Sequence, residues 1–237
     1  RVVDIADDLR VEILDSTPDG GRIVRLNTSL SADEVMARYG HVPLPPYIQR
    51  DADAGDDRRY QTVYARAPGS VAAPTAGLHF TPTLLDRLDG SGVHIVRTTL
   101  HVGIGTFRPV DVEDPAQHDM HAEWYRVSEA AAERLNAVRQ AGGHIWAVGT
   151  TVARTLETVA DEGGRVHAAS GWTDVFIRPP YRFRGVDRLL TNFHLPRSTL
   201  LMLVSAFGGY DAVMAAYRTA VEEGYRFYSY GDAMVMV

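Results

Sequence analysis

The order of apolar and polar positions divides the chain into two textures. The opening segment carries short β-branched runs, Val2 to Ile5, Arg10 to Leu14 and Arg22 to Leu26, which predict three strands. A Pro18-Asp19-Gly20-Gly21 turn separates the last two. Ser31, with Glu34 three residues on, predicts a capped helix that Gly40 ends. Pro43, Pro45 and Pro46 stiffen the passage that follows, and the acidic run Asp51 to Asp57 reads as a solvated loop and a domain boundary. From Tyr60 onward strands and helices alternate. Thr81-Pro82 starts a helix through Leu84, Leu85 and Leu88, and helices are also predicted over Ser128 to Ala141, Thr150 to about Ala160, Leu200 to Phe207 and Ala212 to Glu223. Strands are predicted over Val93 to Val102, Ile145 to Val148, Trp172 to Ile177 and Asp232 to Val237. Such alternation favours an α/β fold class, with residues 58–237 as one domain and 1–57 as another.

Composition narrows the chemistry. With 237 residues, 45% of them apolar, the chain can bury a real core. The longest mainly apolar stretch, Leu200 to Phe207, is too short for a membrane span, and no N-terminal export signal precedes it. Cysteine is absent, which removes disulfides, thiolate–zinc sites and thiol nucleophiles. All 24 basic residues are Arg, so a P-loop lysine and a Schiff-base lysine are impossible. The net charge of −6 arises within residues 1–57, where 12 acids face 6 arginines; the remainder balances. That argues against indiscriminate nucleic-acid binding but leaves room for a local basic face.

Four groups of residues could carry chemistry. Gly149-Thr150-Thr151 lies between a strand and a helix start, where backbone N–H groups meet an anion or, more plainly, form a tight turn. His118 to Glu123 clusters two imidazoles and a carboxylate suited to proton transfer, substrate binding, a metal or structural hydrogen bonds. His79, His101 and His194 sit at loop ends of the kind that converge on α/β active sites, though a lone histidine is more often a core residue. Arg178, Arg182, Arg184, Arg188 and Arg197 are interleaved with Tyr181, Phe183 and Phe193, the composition of an RNA surface or of a solvated face.

Longer motifs then carry a resemblance. They are Gly40 to Ile48, Arg59 to Ala65, Gly69 to Phe80, Thr99 to Gly103, Gly105-Thr106-Phe107, His118 to Glu123, Ala147 to Thr151, Thr191 to Pro196 and Tyr230 to Met234. Together they closely resemble the S-adenosylmethionine:tRNA ribosyltransferase-isomerase family of queuosine formation. The resemblance implies an α/β domain combined with a β-barrel, residues 1–57 being the end of the barrel, and about the first third of a family member is missing from the chain. It implies transfer of the ribosyl group of S-adenosylmethionine to 7-aminomethyl-7-deazaguanine at the tRNA wobble position, giving epoxyqueuosine, adenine and methionine. S-adenosylmethionine is then consumed as a substrate, and no metal or other cofactor is required. Ala122 stands where the family usually has Ser, and Arg178 and Pro180 replace a usual Tyr and Gly.

That reaction needs a base for the C5′ protons beside the sulfonium and an acid for the departing adenine, tasks for imidazole and a tuned carboxylate. The resulting expectation assigns His121 and Glu123 to proton transfer, with His101 and His194 as alternates. Gly149, Thr150, Thr151 and Arg154 would hold the methionine carboxylate, with His79, Phe80 and Phe107 around the rest of S-adenosylmethionine. The five arginines from 178 to 197 would grip the tRNA. A cytoplasmic monomer is expected, with no membrane partner. The alternatives are an inactive fragment that only binds tRNA and, last, a His/Glu metallohydrolase.

Overall fold

The computed structural model describes residues 1–17, 21–45, 47–53, 55–103 and 110–237. The chain divides into two compact units, Arg1–Val42 and Pro43–Val237.

In the first unit, β1 (Val2–Ala6), β2 (Leu9–Ser16) and β3 (Arg22–Asn27) form an antiparallel meander. Cross-strand pairs Arg10–Asp4 at 2.5 Å and Arg25–Glu12 at 3.0 Å decorate it. Helix α1 (Ala32–Tyr39) starts as its sequence dictates: Ser31 accepts from the Glu34 amide while the Glu34 carboxylate accepts from the Ser31 amide. Arg38 and Tyr39 on this helix both bond Asp8.

The second unit mixes helices with two further sheets. Strands β4 (Thr99–His101), β5 (Glu123–Val127) and β7 (Ala169–Thr173) are antiparallel, in the order 4-5-7. Strand β6 (Trp146–Val148) runs parallel to β8 (Arg188–Asn192), which pairs antiparallel with β9 (Ala233–Met236). None of the three sheets among the described residues closes into a barrel. The helices are α2 (Asp56–Arg59), α3 (Pro82–Gly90), α4 (Glu129–Gln140), α5 (Thr150–Val159), α6 (Thr199–Gly208) and α7 (Tyr210–Glu222). None is long and apolar enough to cross a membrane. Thr81, Ser128 and Ser198 cap α3, α4 and α6 through their side-chain oxygens.

Helix α5 is the organising element. It packs against β4, β5 and β7 of one sheet and β6 and β8 of the other, and seven of its ten residues are buried. That burial on more than one face marks a helix between two layers, not a surface helix. Ala153, Leu156 and Val159 join Val127, Leu135, Ala147, Leu189 and Leu203 in the main core. Each fully buried leucine there contributes about 1.5–3 kcal/mol. A smaller cluster of Phe193, Val204, Val213, Tyr217 and Ala220 supports the chain just beyond β8.

Several expectations change on contact with the structure. The predicted strand over Val93 to Val102 is paired only at Thr99–His101. The strand predicted over Trp172 to Ile177 runs Ala169–Thr173 instead, because the chain then turns to meet α5, where the Val175 carbonyl accepts from Arg154 Nε at 3.3 Å. Strand β8 hides in the arginine-rich stretch, where Arg188 obscures an apolar core strand. The acidic run is not wholly a solvated loop. Asp56 is 1% exposed, accepting from Arg50 at 2.6 and 2.8 Å, the Asp53 amide at 2.9 Å and the Tyr230 hydroxyl at 2.8 Å. These bonds tie residues 43–57 to the second unit, whereas composition alone places a boundary at 51–57.

Candidate functional site

A cleft of about 840 Å³, its open mouth included, lies where β6 and β8 end. Carboxyl ends of parallel strands are where open α/β sheets bind ligands. Gly149, Thr150, Thr151 and Arg154 form one wall, Thr191 to Leu195 another, and Ala72 to Ala76 a third, with Glu123, Val102, Tyr47, Tyr60, Tyr228 and Ser229 completing it.

The electrostatic centre is a buried ion pair. Glu123 leads β5 and Arg154 sits one turn into α5; their side chains are 5% and 6% exposed. Arg154 Nη1 donates to Glu123 Oε2 at 2.5 Å, and the Gly103 amide donates to Glu123 Oε1 at 3.2 Å. Both carboxylate oxygens are therefore occupied. Arg154 Nε is bonded to Val175, but its Nη2 is buried without a partner. An orphaned guanidinium N–H beside a cleft is a donor held ready for a ligand acceptor.

Beside it, α5 begins without a side-chain cap. Gly149 occupies φ 94°, ψ 149°, a region essentially reserved for glycine, and it brings the chain from β6 into the helix. No side chain caps the first N–H groups of α5, at the positive end of the helix dipole, and Thr150 and Thr151 line the cleft. An open helix end and an orphaned guanidinium N–H together make a seat for a carboxylate.

The opposite wall supplies complementary groups. Asn192 Nδ2 donates toward the carbonyls of Tyr228, Gly231 and Asp232 at 3.1–3.4 Å. These three acceptors fix the amide's orientation and leave Oδ1 buried with no partner. The Tyr60 hydroxyl is likewise buried, with Ser229 nearby, and burial pushes it up to about 12. Tyr47 bonds Ser229 at 2.6 Å and packs on Tyr228, whose φ of 72° is strained for a tyrosine. His194 bonds Thr191 Oγ1 through Nε2 at 2.8 Å, and desolvation pushes its imidazole down to about 4, so it is neutral at pH 7.

The structure thus gathers Glu123, His194, Gly149, Thr150, Thr151 and Arg154 from the sequence-predicted set into one cleft. His101 does not line it; it stacks on Trp124 across the β4–β5 register, with ring centroids 5.1 Å apart. His121 precedes β5 and is not in the lining either. His79 and Phe80 line an adjoining groove, His79 lying 3.3 Å from Asn192 Nδ2. Phe107 lies outside the described residues. The arginines are dispersed: Arg188 begins β8 at the end away from the cleft, Arg197 follows the near end, and Arg178 lies over Phe176 at 5.8 Å. Arg182 is exposed, and Arg184 belongs to a loop that the buried Glu157 carboxylate holds through the Arg184 and Gly185 amides and the Tyr181 hydroxyl. Tyr60, Asn192, Tyr228 and Ser229 were not singled out from sequence. Asn192 and Tyr60 stand in two of the long motifs, a signal that could have found them.

The model of the family described as queuosine biosynthesis protein matches residues 1–236. The chain belongs to the queuosine biosynthesis protein family. Among members of this family, the S-adenosylmethionine:tRNA ribosyltransferase-isomerase of Symbiobacterium thermophilum is 59% identical over 225 residues, covering 95% of this chain and 65% of that protein. The protein of the same description from Moorella thermoacetica is 58% identical over 232 residues, covering 97% and 67%. The crystal structure of S-adenosylmethionine tRNA ribosyltransferase from Thermotoga maritima is 37% identical, with a TM-score of 0.58, and matches 100% of this chain and 65% of that one. The queuosine-family chain thus spans about two thirds of the length of these relatives.

Proposed function

We propose that the chain carries the ribosyl-transfer and isomerisation site of its family: S-adenosylmethionine is the substrate that donates the ribosyl group, and tRNA bearing 7-aminomethyl-7-deazaguanine accepts it. One observation carries this reading, the unpartnered Arg154 Nη2 beside the uncapped start of α5. Together they suit the methionine carboxylate of S-adenosylmethionine, as the sequence of Gly149 to Arg154 leads one to expect. Glu123 holds Arg154 in place, since both its oxygens are engaged, and so acts as a positioning residue in preference to a proton carrier. His194, held neutral at pH 7 and bonded to Thr191, is an imidazole of the cleft suited to hydrogen-bonding the substrate in preference to taking its proton. The acceptor's own aminomethyl nitrogen is the nucleophile, the C5′ carbon beside the sulfonium gives up a proton, and adenine and methionine both leave, so the site's work is orientation and proton handling. S-adenosylmethionine is consumed, without a further cofactor. The β1–β3 meander serves as the C-terminal part of a barrel, and the protein works in the cytoplasm as a monomer.

The test is adenine release from S-adenosylmethionine by the 237-residue chain, with tRNA carrying the aminomethyl-deazaguanine and with unmodified tRNA. Release only with the modified tRNA supports the reading. A second reading, a module that binds tRNA without turnover, is favoured by the chain's spanning only 65% of its Symbiobacterium relative. Salt-sensitive tRNA binding without adenine release would select that second reading.

A further inference from the structure

A groove lies next to the cleft, lined by Arg58, Arg59, His79, Phe80, Arg226 and Tyr230 among others. We propose that it is the seat of the RNA strand: phosphates lie on the three arginines, and a base stacks on the ring faces beside them. This rests on the ribosyl-transfer reading and names where its acceptor docks.

Charge is the first argument. All three arginines are exposed, and neither Arg58 nor Arg59 forms an ion pair among the described residues. Of the two acids on α2, Asp56 is turned inward to Arg50 and the Tyr230 hydroxyl, and Asp57 forms no ion pair with these arginines among the described residues. Arg226 has a side chain 79% exposed, and its nearest acid, Asp232, is 3.9 Å away. That distance leaves most of the guanidinium free. The groove's charged side chains are therefore three arginines and one aspartate, a positive balance in a chain of net charge −6. Local excess of this kind steers a polyanion to one place.

Ring faces are the second argument. The Arg59 guanidinium lies 5.4 Å from the centre of the Tyr230 ring, and Phe80 and His79 also line the groove. Arginines that track phosphates beside aromatic rings are the means by which proteins hold unpaired nucleotides.

Position is the third. Ser229 lines both the cleft and the groove, and His79 in the groove contacts Asn192 of the cleft wall at 3.3 Å. A strand lying on Arg58, Arg59 and Arg226 presents its next nucleotide at the partition of Ser229 and Asn192, where the second substrate waits. Of the arginines from 178 to 197, Arg188 begins β8 at the end away from the cleft, whereas Arg197 follows its near end.

The decisive comparison uses two triple variants of the chain, Arg58→Gln/Arg59→Gln/Arg226→Gln and Arg178→Gln/Arg182→Gln/Arg184→Gln. For each, tRNA affinity is measured across a salt series and S-adenosylmethionine affinity by calorimetry. The groove triple is expected to bind tRNA about tenfold more weakly or worse, with its salt slope smaller by about 2, at about 0.7 per phosphate contact on a single strand. S-adenosylmethionine affinity should stay unchanged, which shows an intact cleft. A groove triple that keeps wild-type tRNA affinity and slope overturns the proposal, most plainly if the second triple loses both. Wild-type chain that binds tRNA through the groove yet releases no adenine leaves the groove standing and sinks the ribosyl-transfer reading. A wild-type chain that binds no tRNA overturns both.

Discussion

Glu123→Gln is the perturbation that bears most directly on the buried centre. The substitution preserves shape but leaves the Arg154 guanidinium, 6% exposed, with no counter-charge. Removing one member of a buried ion pair costs about 3–5 kcal/mol, a large share of the roughly 5–15 kcal/mol that holds a domain together. For a chain of this size each kcal/mol moves the midpoint by about 2–4 °C, so melting should fall by about 6–20 °C. The three tryptophans, Trp124, Trp146 and Trp172, all lie in the second unit, so their fluorescence follows the unit that contains the pair. The sharper arm is the double variant Glu123→Gln/Arg154→Met. Once both charges are gone, no uncompensated ion remains, and the double variant should melt above Glu123→Gln alone. Additive losses, or a Glu123→Gln midpoint within about 2 °C of wild type, would refute the claim that the pair is buried and mutually dependent.

Three further predictions follow from single residues. Gly149→Ala forces a Cβ into a glycine-only conformation at the start of α5, which should cost about 1–3 kcal/mol in denaturant titrations and weaken S-adenosylmethionine binding; an unchanged midpoint and affinity would contradict the assignment. Arg50 holds the Asp56 carboxyl well below its ordinary 3.8, so its contribution to stability is complete above that value and is lost as the pH falls below it. Asp56→Asn should therefore flatten the acid limb of the stability profile, and an acid limb as steep as wild type would exclude this role. His194 is pushed from 6.5 down to about 4, so the unfolded chain binds the extra proton first; the stability it adds is complete above 6.5 and declines as the pH falls toward 4. Its imidazole resonance, identified by its absence in His194→Gln, should titrate near that lower value, and a midpoint near 6.5 would contradict its burial.

Local chemistry made much of this legible in advance. Ser31 and Glu34 dictate a capping box whatever surrounds them, and Thr81-Pro82 and Ser128 fix their helix starts in the same short-range way. Gly149 to Arg154 was legible because a glycine between a strand and a helix leaves the helix end open. What depended on distant partners was not. Arg50 and Asp53 are near neighbours of Asp56, but the Tyr230 hydroxyl that donates to it lies 174 residues away and could not be read from the acidic run. Strand β8 was masked by arginines at its approaches. Glu123 was readable as important, but its engagement on both oxygens comes from Gly103 and Arg154 in other elements, and this alters the role it can play.

On the proposed function, Arg154 and the open end of α5 read a carboxylate. Calorimetric titration of the chain with S-adenosylmethionine and with its decarboxylated analogue tests it without any substitution. A charged hydrogen-bonding partner contributes about 1.5–3 kcal/mol, so the analogue should bind about 10- to 150-fold more weakly. Equal affinity for the two ligands would exclude carboxylate recognition by Arg154 and α5.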